Sequence, residues 1–283
     1  MPAFKLVLEY DGTDFAGFQA QAGGERTVQG ALEAALAAIA GSPVAVTGAG
    51  RTDAGVHAEG QVAGVRWPRD FDAGVLARAV NAHLPRDLAV QRAVPVPPAF
   101  HARRDATGKL YRYAIWNGPR RSPLRARRFH FEPRPLDLGA MAAGAARLEG
   151  RHDFASFQAA GSAVAHTVRW ISRIAVEGAP EGEIFVEVYG EGFLRHMVRN
   201  LVGTLLQVGR GGRDPGSLPA LLAARRRSAA GPTAPARGLT LVRVTTEIAR
   251  RARTSVPPAV DAATALGYFL GPSGRPKPEP PGR

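Results

Sequence analysis

The sequence predicts an α+β protein made of two ferredoxin-like (βαββαβ) halves whose antiparallel sheets are able to join. Three observations predict it. Strand alternation and helical periodicity follow one another as β-α-β-β-α-β over the first hundred residues. The same order returns between about residues 110 and 245. Turn formers (Gly41-Ser42-Pro43, and the glycines of 48–55) fall between the segments rather than inside them. No sequence repeat accompanies the doubling, so the prediction stands on element order alone.

Each element has a local reason. Residues 4–10 set Phe4, Leu6, Leu8 and Tyr10 on one side of a strand. Thr27 is a suitable N-cap for an Ala/Leu-rich helix ending before Gly41. Strands are expected at 44–47 and 61–67, with the glycine-rich stretch 48–57 (GAGRTDAGVH) as the loop between them. A helix at 71–83 and a strand at 88–94 complete the first half. In the second half, 110–116 (LYRYAIW) opens as a strand, followed by a helix at about 136–149 and strands near 166–176 and 183–189. A long helix covers 193–208 and a last strand 239–245. The Pro/Arg-rich stretch 117–135 is read as a loop on the basic surface. Beyond about residue 247 the composition changes, with seven prolines in 256–283, and a flexible tail is expected with LGYFL (266–270) as a docking patch. The domain reading is therefore 1–105, 106–246 and the tail 247–283.

At 283 residues and 45% hydrophobic content, the chain is able to bury a substantial core. It carries 37 Lys+Arg against 24 Asp+Glu, a net charge of +13. Such a surface attracts polyanions, which makes nucleic acid the leading partner class. Compositional drift also enriches arginine, but it does not cluster it: RRSPLRARR (120–128) holds five arginines in nine residues without an acid, and Arg225, Arg226 and Arg227 form a second run. With no cysteine, disulfides, thiolate zinc sites and cysteine nucleophiles are excluded. The seven histidines show no close metal-ligand spacing, so no metal is expected. MPAFKLVLEY reads as a strand and not as a signal segment, and no apolar run is long enough to span a bilayer. No membrane association and a reducing, cytoplasmic location are expected.

The glycine loop is not a cofactor motif. Gly50 and Gly55 have Walker A separation, but Val56-His57 stands where Lys and Ser/Thr must be, so nothing reaches a β/γ-phosphate. The dinucleotide fingerprint fails as well, because Asp53 occupies its third glycine position and a strand follows. What remains is a carboxylate between glycines. From spacing alone, Asp53 either bonds the amides of its own turn or is presented to a substrate.

The residues GAGRTDAGVHAEGQVA (48–63) closely resemble the catalytic loop of the tRNA pseudouridine synthase A family. YDGTDFAGFQ (10–19), TVQGALEAAL (27–36), FHARRDATGKLYRY (100–113), GRHDFASF (150–157), EGFLRHMVRNLVGTLLQVG (191–209) and APARGLTLV (234–242) are similar to that family too, in order, up to about residue 246. One departure is Phe18, where the family pattern leads one to expect Trp. The resemblance implies conversion of uridine to pseudouridine in the anticodon stem-loop of tRNA (positions 38–40), a homodimer, and no organic cofactor. It also implies that the two halves share a mixed, mainly antiparallel central sheet. The reaction breaks N1–C1′, turns the uracil and bonds C5 to C1′, and it requires an ionised carboxylate near the sugar. Asp53 takes that role by resemblance, either attacking C1′ or abstracting the C2′ proton.

Arg199 matches the family arginine that pairs with the aspartate. Spacing alone reads it differently. At about 100° per residue, Phe193, Leu194, Met197, Val198, Leu201 and Leu205 share one face, while Arg195, His196 and Arg199 fall opposite, as on a solvated helix surface. Tyr111 matches the family tyrosine, whose ring stacks on uracil and whose hydroxyl handles protons, and period two sends Tyr113 to the same sheet face as a support. Leu239 matches the apolar contact under the base. Arg51 is assigned to a substrate phosphate or to Asp53. His57 is expected to pack or to bond a loop. Two other readings stay open: a tRNA-folding factor without catalysis, against which the set Asp53, Tyr111 and Arg199 argues, and a synthase acting on another RNA.

Overall fold

Ten strands, the longer of them alternating buried and less buried residues, build a single mixed sheet in this computed structural model, which describes residues 1–162 and 164–247. The expected tail with LGYFL lies outside the described residues. In the first half, β1 (Ala3–Tyr10), α1 (Val28–Ala40), β2 (Val46–Gly48), β3 (His57–Arg66), α2 (Ala73–His83) and β4 (Leu88–Val96) follow the expected order. The second half runs β5 (Ala106–Trp116), β6 (His130–Phe131), α3 (Leu138–Ala146), β7 (Gly150–Asp153), β8 (Val168–Gly178), β9 (Glu183–Gly190), α4 (Met197–Gly209), α5 (Leu218–Ala224) and β10 (Leu239–Thr246).

The strands lie in the order β4-β1-β3-β10-β5-β9-β8-β7, with β2 on β3 and β6 on β5. Within it, β4-β1-β3-β2 and β10-β5-β9-β8 each repeat the ferredoxin-like order. The two meet at a short parallel contact where Thr240 faces His57 and Leu241 faces Ala58. Most other pairings are antiparallel. The loop before β3 therefore opens at the seam where the two sheets join.

Local chemistry sets the helix ends. Thr27 Oγ1 accepts from Gly30 N at 3.2 Å, and Gly41 stops α1 in the left-handed conformation. Asp72 and Asp137 cap α2 and α3 in the same way. That cap starts α3 at Leu138, and the helix stops at Ala146, inside the expected 136–149.

α4 departs from the expected 193–208 in two respects. It begins at Met197, because His196 has φ 59°, a left-handed conformation that a right-handed helix cannot include. It is also buried nearly all round, where one polar face was expected. Residues 231–234 cross that face: Gly231 N donates to Thr204 Oγ1 at 2.9 Å and Ala234 N to the Arg199 carbonyl at 3.1 Å. Gly203 makes the crossing feasible, since a Cβ there would collide with the Pro232 carbonyl oxygen. On the inner side Leu201 and Leu205 are fully buried, and truncating either to Ala would cost about 2–5 kcal/mol.

Stretch 117–135 is more ordered than a surface loop. It contains a 3-10 turn, Pro123–Arg125, and β6. Arg125 donates to Glu183 Oε1 at 2.7 Å with its guanidinium 4.4 Å from the Trp116 ring. Buried Glu132 holds Arg134 and Arg210, while Asn117 Nδ2 donates to the Glu132 and Arg134 carbonyls. Arg120, Arg121, Arg127 and Arg128 remain exposed.

Candidate active site

The loop between β2 and β3 is held from both sides. Ala49 N donates to the Val62 carbonyl at 2.8 Å and Gln61 Nε2 to the Gly50 carbonyl at 3.1 Å. On the other flank, Phe18 N donates to the Thr52 carbonyl, and the Tyr10 hydroxyl bonds Thr52 Oγ1 at 2.8 Å. Burial pushes the Tyr10 phenol up to about 12, so that hydroxyl keeps its proton. Gly55 turns the chain at φ 77°, where a side chain would be strained. These contacts fix the backbone on either side of Asp53 and leave its half-buried carboxylate free to face the seam.

Among the described residues, the Asp53 carboxylate is met by side chains from the second half of the chain. Arg199 Nη1 donates to Asp53 Oδ2 at 3.2 Å, and His196 Nε2 lies 3.6 Å from the same oxygen. Of the two roles spacing allowed for Asp53, presentation into a cleft is thus the arrangement observed, not capping of its own turn. Arg199 stands in the first turn of α4, where its Nε donates to the Ala234 carbonyl at 2.8 Å and so aims Nη1 outward. The segment that covers α4 is therefore also what orients the arginine. Burial lowers the pKa of His196, with Arg199, Arg195 and Arg227 adding to the effect and Asp53 opposing it. Its imidazole is uncharged near neutral pH.

Tyr111 sits in β5 between Leu241 of β10 and Val188 of β9, with its ring edge-on to Phe193 at 5.3 Å. Burial, then Tyr10 and Asp53, raise its pKa, so the phenol is protonated across the neutral range. Tyr113, fully buried, donates its hydroxyl to the Pro235 carbonyl at 2.9 Å. It thereby supports the turn that delivers Leu239, which faces it across the β5–β10 pair. Arg51 is exposed on the rim, and among the described residues it forms no ion pair with Asp53. One cleft of about 1430 Å³ is lined by Asp53, Arg51, Tyr111, Arg199 and Leu239 together. That exceeds an ordinary small-molecule pocket and leaves room for a nucleotide with its flanking chain.

His57 is outside this group. Gly12 N donates to its Nδ1 at 3.1 Å, and its Nε2 lies 2.9 Å from the Arg127 carbonyl and 3.1 Å from that of Arg237. It ties three loops together at the start of β3. Arg227 is likewise drawn inward, to Asn200 and Thr233, and so does not extend the exposed basic surface. Sequence reasoning placed His196 on the solvated face of the expected helix and assigned it no role beside Asp53. It also passed over Lys109 and Phe193, although Lys109 shares the Tyr111 face by period two.

Among the described residues, no group of three or more His, Asp or Glu is arranged to hold a metal ion, and no helix is long and apolar enough to cross a membrane.

Residues 6–105 and 145–247 match the family described as tRNA pseudouridine synthase. The chain is 47% identical over 245 residues to tRNA pseudouridine synthase A of Syntrophotalea carbinolica, covering 86% of this chain and 96% of that one. It is also 47% identical to the protein of that name in Myxococcus xanthus, with 86% and 92% covered. With the Solidesulfovibrio magneticus protein of the same name, identity is 49% over 85% of this chain and 90% of the other. A chain from a solved Cbf5-Nop10-Gar1 complex overlaps only loosely, with a TM-score of 0.32 and 12% identity over 72% of this chain and 54% of that chain.

Proposed function

The chain belongs to the tRNA pseudouridine synthase A family, an isomerase family, and from that premise we propose that it isomerises uridine to pseudouridine at positions 38–40 of the tRNA anticodon stem-loop, with Asp53 as the essential carboxylate. The observation that carries the site assignment is the Asp53–Arg199 pair at 3.2 Å, in one cleft with Tyr111 and Leu239.

A uracil stacked in a helix or loop has no room to turn once N1–C1′ breaks, so the nucleotide has to swing out of its stack into the cleft. Stacking on Tyr111 would return about 1–3 kcal/mol of the lost base stacking. Leu239 closes the site beneath the ring, and Arg51 at the rim meets a phosphate. Asp53, paired with Arg199, faces the sugar and either bonds to C1′ or takes the C2′ proton. The N1–C1′ bond breaks, the uracil turns, C5 bonds C1′, the C5 proton leaves and N1 gains one. The equation is balanced without redox equivalents or ATP. On this reading residues 1–105 supply the carboxylate wall and residues 106–246 the tyrosine and arginine wall, and the enzyme works as a homodimer in the cytoplasm.

The test is to incubate purified protein with unmodified tRNA transcripts and map pseudouridine along each chain. The expected product is pseudouridine at positions 38–40. Product only elsewhere, or only in another RNA, would replace the substrate assignment, and no product in any RNA would overturn the reading.

A further inference from the structure

Lys109 is a cation in the cleft without a protein counter-charge. It lies on β5 two residues before Tyr111, so both side chains leave the same face of the sheet. Its ammonium hangs over the carboxylate loop: a Cβ on Gly50 would sit 2.7 Å from Nζ. The side chain is half-buried on the cleft wall, and among the described residues its Nζ has no hydrogen-bond or ion-pair partner. The wall offers little to balance it. Arg51, Arg103, Arg169 and Arg195 line the same cleft, whereas its acids are Asp53, already engaged by Arg199 and His196, and Glu191. Burial and the nearby Arg103 accordingly lower the Lys109 pKa.

An ammonium withdrawn from water without a partner is costly in free energy, and an arriving anion removes that cost. The other lysine with a lowered pKa, Lys5, donates to Thr246 Oγ1 at 3.2 Å, so the absence of a partner is particular to Lys109. Resting on the functional reading above, we propose that Lys109 binds a non-bridging oxygen of the phosphodiester adjoining the uridine presented to Asp53. The lysine and the carboxylate then hold the same nucleotide at two points, one through its backbone and one through its sugar. A compact ammonium suits this contact, because a phosphate oxygen imposes no planar geometry on its donor.

The experiment uses the full chain, with Lys109→Met, which keeps an apolar stem of similar length, and Lys109→Arg, which keeps the charge. Each is titrated with a tRNA stem-loop RNA that is unmodified or carries one neutral methylphosphonate, 5′ or 3′ to the target uridine. Lys109→Met is expected to raise Kd about tenfold, as for loss of one charge-assisted hydrogen bond, with Lys109→Arg between the two. One of the two methylphosphonates should raise Kd of the unsubstituted protein by a similar factor and leave that of Lys109→Met unchanged. The melting temperature of Lys109→Met should hold or rise, because an unmatched charge has been removed. Losses that multiply at both phosphates, an unchanged Kd, or a lowered melting temperature with full affinity would overturn the assignment. Pseudouridine formation by the unsubstituted protein is measured separately, so failure of the functional reading is distinguishable from failure of this one.

Discussion

The Arg199 guanidinium spans two acceptors: Nη1 lies 3.2 Å from Asp53 Oδ2 and Nε lies 2.8 Å from the Ala234 carbonyl. An ammonium carries all its donors on one nitrogen and does not reproduce this fixed two-nitrogen fork. Arg199→Ala removes the guanidinium from Asp53 and leaves His196, at 3.6 Å, as its remaining neighbour from the second half of the chain. The single-turnover rate should then fall about 10²-fold through lost orientation and charge, with Arg199→Lys intermediate and tRNA affinity within a few-fold. Identical rates for all three proteins would remove the pairing from the chemistry.

The arginines of 120–128 divide into two kinds. Arg120, Arg121, Arg127 and Arg128 are exposed, whereas Arg125 is held by Glu183 and Trp116. Replacing the exposed four with Ala should weaken tRNA binding and flatten the plot of log Kd against log salt by about 0.7–0.9 for each phosphate no longer neutralised. Arg125→Ala should leave that slope in place and lower stability by about 1 kcal/mol. A slope unchanged by the fourfold variant would put the RNA footprint on another face.

The two tyrosines should separate fold from function. Tyr113→Phe removes the bond to the half-buried Pro235 carbonyl and should cost about 0.5–1.5 kcal/mol in urea denaturation. Tyr111→Phe keeps the ring against Phe193, so stability should hold while the isomerisation rate drops. Because burial raises the Tyr111 pKa, its proton stays on past the ordinary tyrosine value of about 10. An alkaline limb below that value that disappears in Tyr111→Phe would contradict this.

Stability should depend on pH through His130 and His196, both of which burial holds below the ordinary value of 6.5. For His130, Glu132 opposes the shift, while Arg237 and Arg210 add to it. The unfolded chain then binds protons at a higher pH than the folded one. Stability is full above 6.5, is lost as pH falls through the folded values, and levels off below them. The depressed carboxylates Asp11, Asp87, Glu132 and Asp153 act in a separate, more acid window. Urea midpoints between about pH 8 and pH 5 should trace the histidine decline, and His130→Gln should reduce it. A flat midpoint in both proteins would contradict the shifts.

Features governed by neighbouring residues were legible in the sequence, and features governed by distant ones were not. The Thr27 cap, the Gly41 stop and the alternation of β1 are local chemistry, and they lie where the spacing places them. β6, with two residues, and β7, with four, are too short to carry a period. On a helical wheel Arg199 belongs to a solvated face, because nothing local announces that residues 231–234 will cross it. Only the family resemblance brought Asp53 and Arg199 together across 146 positions. His196 lay inside a recognised segment, but nothing in its neighbours along the chain signals its left-handed backbone. Lys109 shares the Tyr111 face by period two but drew no notice in the sequence, because its missing counter-charge depends on every wall of the cleft.

Asp53→Asn is the most direct test of the central claim, since it keeps the shape of the side chain and removes the charge and the nucleophile. The measurement is pseudouridine formed in one turnover, with enzyme saturating over unmodified tRNA, alongside Kd for the same RNA. The expected result is no pseudouridine with Kd within a few-fold of the unsubstituted protein. Turnover by Asp53→Asn and Asp53→Ala near the unsubstituted rate would show that the carboxylate facing Arg199 is not the group that reacts.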